Sequence, residues 1–523
     1  MANPSNKAVA KKENGGYMKI FRAVERVGNK LPHPFYLFCI LAVIVIALSI
    51  AFEGTSVTYM AAAKDGSGAT ETTVAVVNLM SRDYMRNILK NITSVYTSFA
   101  PLGLVMVMML SIGFAQETGL FDAFMRRTLL GAPAFLVTFV LSIVCICCNL
   151  VSSAGIIFGA TMGAALFSAL GRNPIIGAVA GYAAVHGGYG ANLIVNGDDV
   201  LLSGITQAAA NSMGIEAPIT PLMNYFFLFT ATFLIALVVT FVTEKIMPNL
   251  VSTPGIQKSH DAKVTDDEKR GLRYAGVALI IYVAFILALS LPQGSFFRND
   301  ETGTLIPSSP LISSVVAVMF FLFIVVAAAY GVGAKTVKNI NDVPKYMQSG
   351  LAGSLSFFVM AFPAALFIEF FNSSKLATVL AVKGADLLEA MNFTGIPLAV
   401  GFVILSIFLN LFMTSSSAKW MILAPIFVPM FAMLNFSPAL TQLAFRLGDS
   451  ISNPIAPINF FLPMVLGLMN QYKRPEDPEF GLGTLISYTL PYSIGYFIVL
   501  ILMLVVWMLL GLPLGPGAGL YIA

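Results

Sequence analysis

Residues 390–472 form a stretch of 83 residues that carries only three charges, Lys419, Arg446 and Asp449. Two further runs, 128–171 and 480–523, are 44 residues long and contain no Asp, Glu, Lys or Arg. A helix needs about 20 apolar residues to cross a bilayer, and backbone in hydrocarbon has to satisfy its own hydrogen bonds. Runs of this kind therefore fold as membrane helices. The whole chain is 57% hydrophobic and 11% charged, against about 25% charged in ordinary soluble domains. The expected class is an all-α polytopic membrane protein in a lipid bilayer. The net charge of +4 comes from loop lysines and arginines, and points to membrane topology and away from nucleic acid. Cys39, Cys145, Cys147 and Cys148 lie in apolar runs without disulfide or metal spacing.

Basic residues mark the cytoplasmic side. The segment 1–34 holds Lys7, Lys11, Lys12, Lys19, Arg22, Arg26 and Lys30 and has no cleavable apolar region. It reads as a cytoplasmic N-terminus before a first span at 35–52 in the inner (plasma) membrane. Residues 53–90 read as an outer loop, and a second span near 98–115 returns inward. The run 128–171 is interrupted by Asn149 and Ser152-Ser153-Ala154-Gly155, leaving arms of about 14 residues, too short to span. A re-entrant hairpin near 135–170 is expected. Residues 186–192, rich in glycine and followed by Asp198-Asp199, read as an unwound, cavity-lining segment.

The charged linker 246–273 divides a first transmembrane half, 35–245, from a second, 274–523. The second half repeats the pattern. Its spans are expected at 274–291, 311–330, 350–371 and 485–510, with a hairpin near 396–433, a Ser-rich tip at 414–417 and a polar break at 446–457. Paired interruptions in two halves point to a secondary transporter with inverted repeats and a midplane site.

A charge at the bilayer centre costs about 2.5–3.5 kcal/mol even on insertion scales, so such residues face a partner or a pathway. Arg446 and Asp449, at i and i+3, read as an ion pair, either structural or in the substrate or ion path. Asp199, with Asp198, either caps a helix or serves that path. Asn149, Ser152, Ser153, Asn192 and Asn453 either satisfy backbone at the breaks or offer oxygens to an anion or to Na+ at the hairpin tips. Trp420 is either a packing aromatic or a stacking surface for an aromatic substrate. His186 and Glu369 read as packing residues. Residues 331–336 mimic a phosphate loop, but Ala334 stands where glycine is needed, and no strand precedes it. No nucleophile–base arrangement is present, so the chain does not read as an enzyme. A passive channel remains the rival class.

Several segments resemble the aminobenzoyl-glutamate transporter (AbgT) family. They are Val24-Glu25-Arg26-Val27-Gly28-Asn29-Lys30-Leu31-Pro32-His33-Pro34, Gly187-Gly188-Tyr189-Gly190-Ala191-Asn192-Leu193 and Ala424-Pro425-Ile426-Phe427-Val428-Pro429-Met430. Arg446-Leu447-Gly448-Asp449-Ser450 and Gly511-Leu512-Pro513-Leu514-Gly515-Pro516-Gly517 extend the likeness to the end of the chain. The resemblance implies a homodimer of elevator type, with about nine spans and two re-entrant hairpins per subunit. It implies pathway residues Asp199, Ser417, Trp420, Pro438, Arg446 and Asp449. It further implies ion-coupled import of p-aminobenzoyl-glutamate, driven by H+ or Na+ without an organic cofactor, or export of sulfonamide antimetabolites. Three positions depart from the family pattern. Ser153 replaces an acidic residue, Lys419 replaces Gln, and Val200, with an extra Asp198 in front, follows Asp199 in place of Pro. The expectation for Lys419 is a fixed charge that weakens or removes Na+ dependence, or favours a more anionic substrate.

Overall fold

The computed structural model describes residues 32–62, 69–130, 136–151, 153–211, 213–251, 264–305, 309–352, 355–413, 415–457, 459, 461–475 and 479–522. Helix α1 (Pro34–Ala51) starts with proline at a position whose N–H would be unpaired in any case. The segment 53–90 is not a plain loop. It holds an antiparallel hairpin, β1 (Ser56–Ala62) and β2 (Ala69–Ala75), and the start of α2 (Arg82–Thr97). Val57, Thr58, Thr72, Thr73 and Val74 favour the extended chain, and Thr58 and Thr73 hydrogen-bond across the strands at 2.9 Å. The described residues are therefore mostly helical with one small β-hairpin, and not strictly all-α.

The first half continues with α3 (Ala100–Glu117), α4 (Leu120–Leu130), α5 (Val137–Cys147), α6 (Ser153–Ala169), α7 (Pro174–Gly187), α8 (Gly197–Asn211) and α9 (Tyr225–Phe241). Of the linker, residues 252–263 lie outside the described residues. The second half opens on α10 (Asp266–Ala288), whose start is a reciprocal cap between Thr265 and Glu268. Then come α11 (Val315–Ala334), α12 (Asp342–Ala352), α13 (Leu355–Ser373), α14 (Leu376–Ala390), α15 (Gly395–Asn410), α16 (Ser416–Met433), α17 (Pro438–Ser452), α18 (Leu462–Gln471) and α19 (Leu482–Leu509). Among the described residues, seven helices are long and apolar enough to cross a membrane, or nine if two bent pairs, α12–α13 and α14–α15, each count as one.

One expectation changes. The polar break expected from residue 446 begins only at Asn453, because α17 runs unbroken through Arg446 and Asp449. Helix α14 was not legible as a packed element, since Lys383, Asp386 and Glu389 dilute its apolar face. The phosphate-loop mimic is the C-terminal end of α11, closed by Lys335 in the left-handed region (φ 61°).

One succession of elements occurs twice. Helix α5, a break, α6 and α7 lead into a 3-10 turn at Gly188–Gly190; α15, a break, α16 and α17 lead into another at Asn453–Ile455. The α5 arm is only 11 residues long, far short of a bilayer. Helices α6 and α7 touch through glycines: a Cβ on Gly163 would stand 2.1 Å from the Gly177 carbonyl oxygen, and one on Gly181 2.0 Å from that of Gly159. Between helices in lipid, small residues supply the close packing that a hydrophobic driving force supplies in water.

Candidate functional site

Helix α17 is buried along its whole length. Its polar residues Gln442, Arg446 and Asp449 follow the i, i+4, i+7 spacing of one helical face. The expected ion pair between Arg446 and Asp449 is not formed; each takes a different partner on a neighbouring helix.

Arg446 reaches the first half of the chain. One guanidinium nitrogen, Nη1, donates to the Asp199 carboxylate, and Nε donates to the Tyr189 carbonyl oxygen at 2.7 Å. Its guanidinium lies 5.3 Å from the Tyr189 ring centre. The remaining nitrogen, Nη2, is buried without a hydrogen-bond partner among the described residues. Asp199 also accepts from Asn192 Nδ2 at 2.7 Å and from the Asn196 N–H at 2.8 Å, while Asn196 Oδ1 accepts the Asp199 N–H at 3.0 Å. Asp199 therefore caps the start of α8, as one of its two readings expects, and it also pairs a buried charge. Asp198 next to it is only half-buried.

Asp449 faces the break between α15 and α16. Lys419 Nζ donates to its Oδ1 at 2.6 Å, and Ser416 donates to its Oδ2. Lys419 also donates to the side-chain oxygen of Asn410, the last residue of α15. Asn410 is held in turn by its Nδ2, which donates to Ser452 Oγ at 2.9 Å and to Asn453 Oδ1 at 2.7 Å. Lys419, Asp449 and Arg446 are each at most 1% exposed, and Asp199 2%. Two cations and two anions buried side by side leave a cluster of no net charge, the condition under which ions are tolerated away from water.

Trp420 stacks on Phe445 with ring centres 4.6 Å apart and planes 24° apart. Its indole N–H donates to Thr206 Oγ1 at 2.9 Å, and Thr206 donates to Gln442 Oε1 at 2.6 Å. Gln442 Nε2 then donates to Asn224 Oδ1 at 3.1 Å, and Asn224 Nδ2 to the Ala439 carbonyl at 2.8 Å. The indole is both a packing aromatic and the end of a polar chain that ties α16, α8 and α17 together.

The remaining expected residues divide. Ser417 is half-buried at the tip, with Oγ 3.5 Å from Ser415 Oγ. Pro438 opens α17, eleven residues and so about 16 Å along the helix from Asp449, and does not join the charges. Asn149 donates to the carbonyls of Ile146 and Val185, both at 2.9 Å, and lines a narrow crevice with Asn192 and Asn196. Asn453 takes part through Asn410. Ser152 and the side chain of Ser153 lie outside the described residues. His186 is buried against Tyr182 and meets Asn459 at 2.8 Å, and Glu369 accepts from Ser373, both packing roles.

Sequence reasoning singled out the tip that holds Ser416 but missed Asn410, Tyr189, Thr206, Gln442 and Phe445 as site residues. Asn410 had a signal: like Asn149, it ends an apolar arm, is followed by Leu and precedes a Ser-Ser pair. The two asparagines do matching work, since each donates to the C-terminal end of the helix that follows its hairpin, at Val185 and at Ser452.

Comparison with known proteins identifies the family and the fold. Residues 19–522 match the model of the AbgT putative transporter family. The p-aminobenzoyl-glutamate transport protein of Escherichia coli (strain K12) is 36% identical over 500 residues, covering 95% of this chain and 96% of that one. The crystal structure of the Alcanivorax borkumensis YdaH transporter superposes with a TM-score of 0.85 at 32% identity, over 93% of this chain and 100% of that one. The structure of Neisseria gonorrhoeae MtrF, described as illuminating a class of antimetabolite efflux pumps, gives 0.88 at 36% identity over 95% and 100%. The chain belongs to the AbgT putative transporter family.

Proposed function

We propose that the protein is a secondary active transporter of p-aminobenzoyl-glutamate-like aromatic carboxylates, driven by a proton or Na+ gradient. The observation that carries this is Arg446 Nη2, a buried donor without a hydrogen-bond partner among the described residues. A guanidinium with an open donor binds a carboxylate with a charge-assisted bond, and leaving that donor unmet is costly. Phe445, next in sequence to Arg446, stacks with Trp420, and separating the two rings would give an aminobenzoyl ring an aromatic face on each side. Because Trp420 and Arg446 are packed shut, substrate entry has to move α16 and α17 relative to α8, as alternating access requires.

A second reading in the same site is export of sulfonamide-type antimetabolites, favoured by the likeness to MtrF. It uses the aromatic pair and needs less from Arg446. In either direction, the reading includes a homodimer of elevator type in the inner (plasma) membrane, with a cytoplasmic N-terminus. The repeated hairpin-and-helix succession supports the elevator, and the basic N-terminal 34 residues support the orientation.

Uptake of labelled p-aminobenzoyl-glutamate into proteoliposomes under an imposed H+ or Na+ gradient tests the reading. Concentrative uptake is expected. Gradient-driven extrusion of a sulfonamide with no uptake of the glutamate conjugate would give the site to the exporter reading. Equilibration of either compound without accumulation would point to a channel.

A further inference from the structure

The Lys419–Asp449 contact is built like a cation site with the cation already attached. Lys419 Nζ meets the Asp449 carboxylate at 2.6 Å and the Asn410 side-chain oxygen, and Ser416 holds the second carboxylate oxygen. These are hard oxygens from a carboxylate, an amide and a hydroxyl, the ligand types that alkali and alkaline-earth cations take. They stand at the ends of interrupted helices: Asn410 closes α15, and Ser416 opens α16. Ends of broken helices are where transporters coordinate coupling ions. The amide is also oriented in advance, because its Nδ2 is fixed by Ser452 and Asn453, which turns its oxygen toward Nζ. Lys419 is 1% exposed, so no water competes for the position from the surface.

We propose that the Lys419 ammonium is a tethered cation that fills the position a free Na+ would take between Asp449, Asn410 and the second hairpin tip. The transporter then works without Na+, and neutralising Lys419 uncovers an Na+ site. The proposal rests on the reading of the protein as an ion-coupled carrier and specifies which ion it does without. Its physical basis is charge balance. Asp449 at full burial needs one positive charge nearby, and a lysine four residues into the tip helix supplies it permanently, whereas a diffusible ion would arrive and leave with each cycle. A merely structural ion pair would predict that removal of Lys419 destabilises the protein whatever salt is present.

The test uses the full chain and its Lys419→Gln and Lys419→Met variants. Thermal unfolding of purified protein is followed in NaCl, KCl and choline chloride at equal ionic strength, with Na+ itself as the probe. The wild type is expected to melt at one temperature in all three salts. The Lys419→Gln protein is expected to melt lower in choline and to regain the loss selectively in NaCl, as binding to the folded state alone requires. In proteoliposomes, wild-type uptake of p-aminobenzoyl-glutamate is expected to be unchanged when choline replaces Na+, and Lys419→Gln uptake to be lost without Na+ and restored with it. Na+-selective stabilisation of the wild type, or no Na+ response in melting for either variant, overturns the proposal. If no protein takes up the glutamate conjugate but Lys419→Gln is stabilised by Na+, the substrate reading fails and the tethered cation stands.

Discussion

Replacing Arg446 by Met and Asp199 by Asn, singly and together, separates the structural work of this pair from its transport work. Arg446→Met leaves the Asp199 carboxylate buried, although Asn192 and the Asn196 N–H still reach it. Asp199→Asn removes the paired carboxylate charge and leaves the guanidinium neutral oxygens, the Tyr189 carbonyl among them. Breaking one side of a buried pair costs about 3–5 kcal/mol, most of it the penalty of the charge left behind. The retained amide donors place Arg446→Met near the lower end of that range and Asp199→Asn near the upper. The double variant buries neither charge, so its loss is expected to be smaller than the sum of the two by about 2–3 kcal/mol. Denaturant unfolding in micelles, read by tryptophan fluorescence, gives the three differences. Additive losses, or an unperturbed Arg446→Met protein, would refute the claim that these two charges are each other's buried counter-ion. Transport should not follow stability: the double variant is expected to regain much of the fold and none of the uptake.

Asp449→Asn is expected to abolish uptake while the protein still inserts and folds, measured by proteoliposome transport beside size-exclusion profiles; an active Asp449→Asn protein would remove Asp449 from the pathway. Trp420→Phe keeps the stack on Phe445 but strips the donor from Thr206, at a cost of about 1 kcal/mol, so weakened substrate binding with retained transport is expected in a titration. Gly163→Leu drives a side chain into the Gly177 carbonyl, and overpacking of about 1–3 kcal/mol or more is expected to lower the melting temperature without changing which ligands bind. The Arg172–Glu244 pair is about a third exposed on each side, so Glu244→Gln is expected to change stability by no more than about 1 kcal/mol, and less at high salt.

The membrane class, the two polar interruptions of apolar runs and the three buried charges were legible because each rests on local chemistry: charge-free runs, Ser and Asn at their interruptions, and the cost of burying an ion. The partners of those charges were not. Arg446 and Asp449, three residues apart, suggested each other, yet the first pairs with a residue 247 positions away and the second with one 30 positions away. Helix α17 sits between α8 and α16, and its polar face serves both; nothing in a one-dimensional pattern says which neighbour lies on which side. The β-hairpin was lost in a segment whose threonines read as loop, and α8 because the glycines before it and the acids of its first turn were read together as an unwound segment. Gln442 was recoverable, since it stands one turn before Arg446 on the same face. Lys419 was read as a fixed charge at the tip, and in the structure its ammonium meets the carboxylate of Asp449.

The most direct measurement of the central claim is counterflow. Proteoliposomes loaded with unlabelled p-aminobenzoyl-glutamate and diluted into a trace of labelled compound are predicted to accumulate label transiently above equilibrium. The same vesicles carrying Arg446→Met are predicted to show no such overshoot. Label that merely equilibrates in the wild type would contradict a carrier, and an overshoot of equal height in Arg446→Met would contradict Arg446 as the residue that holds the substrate carboxylate.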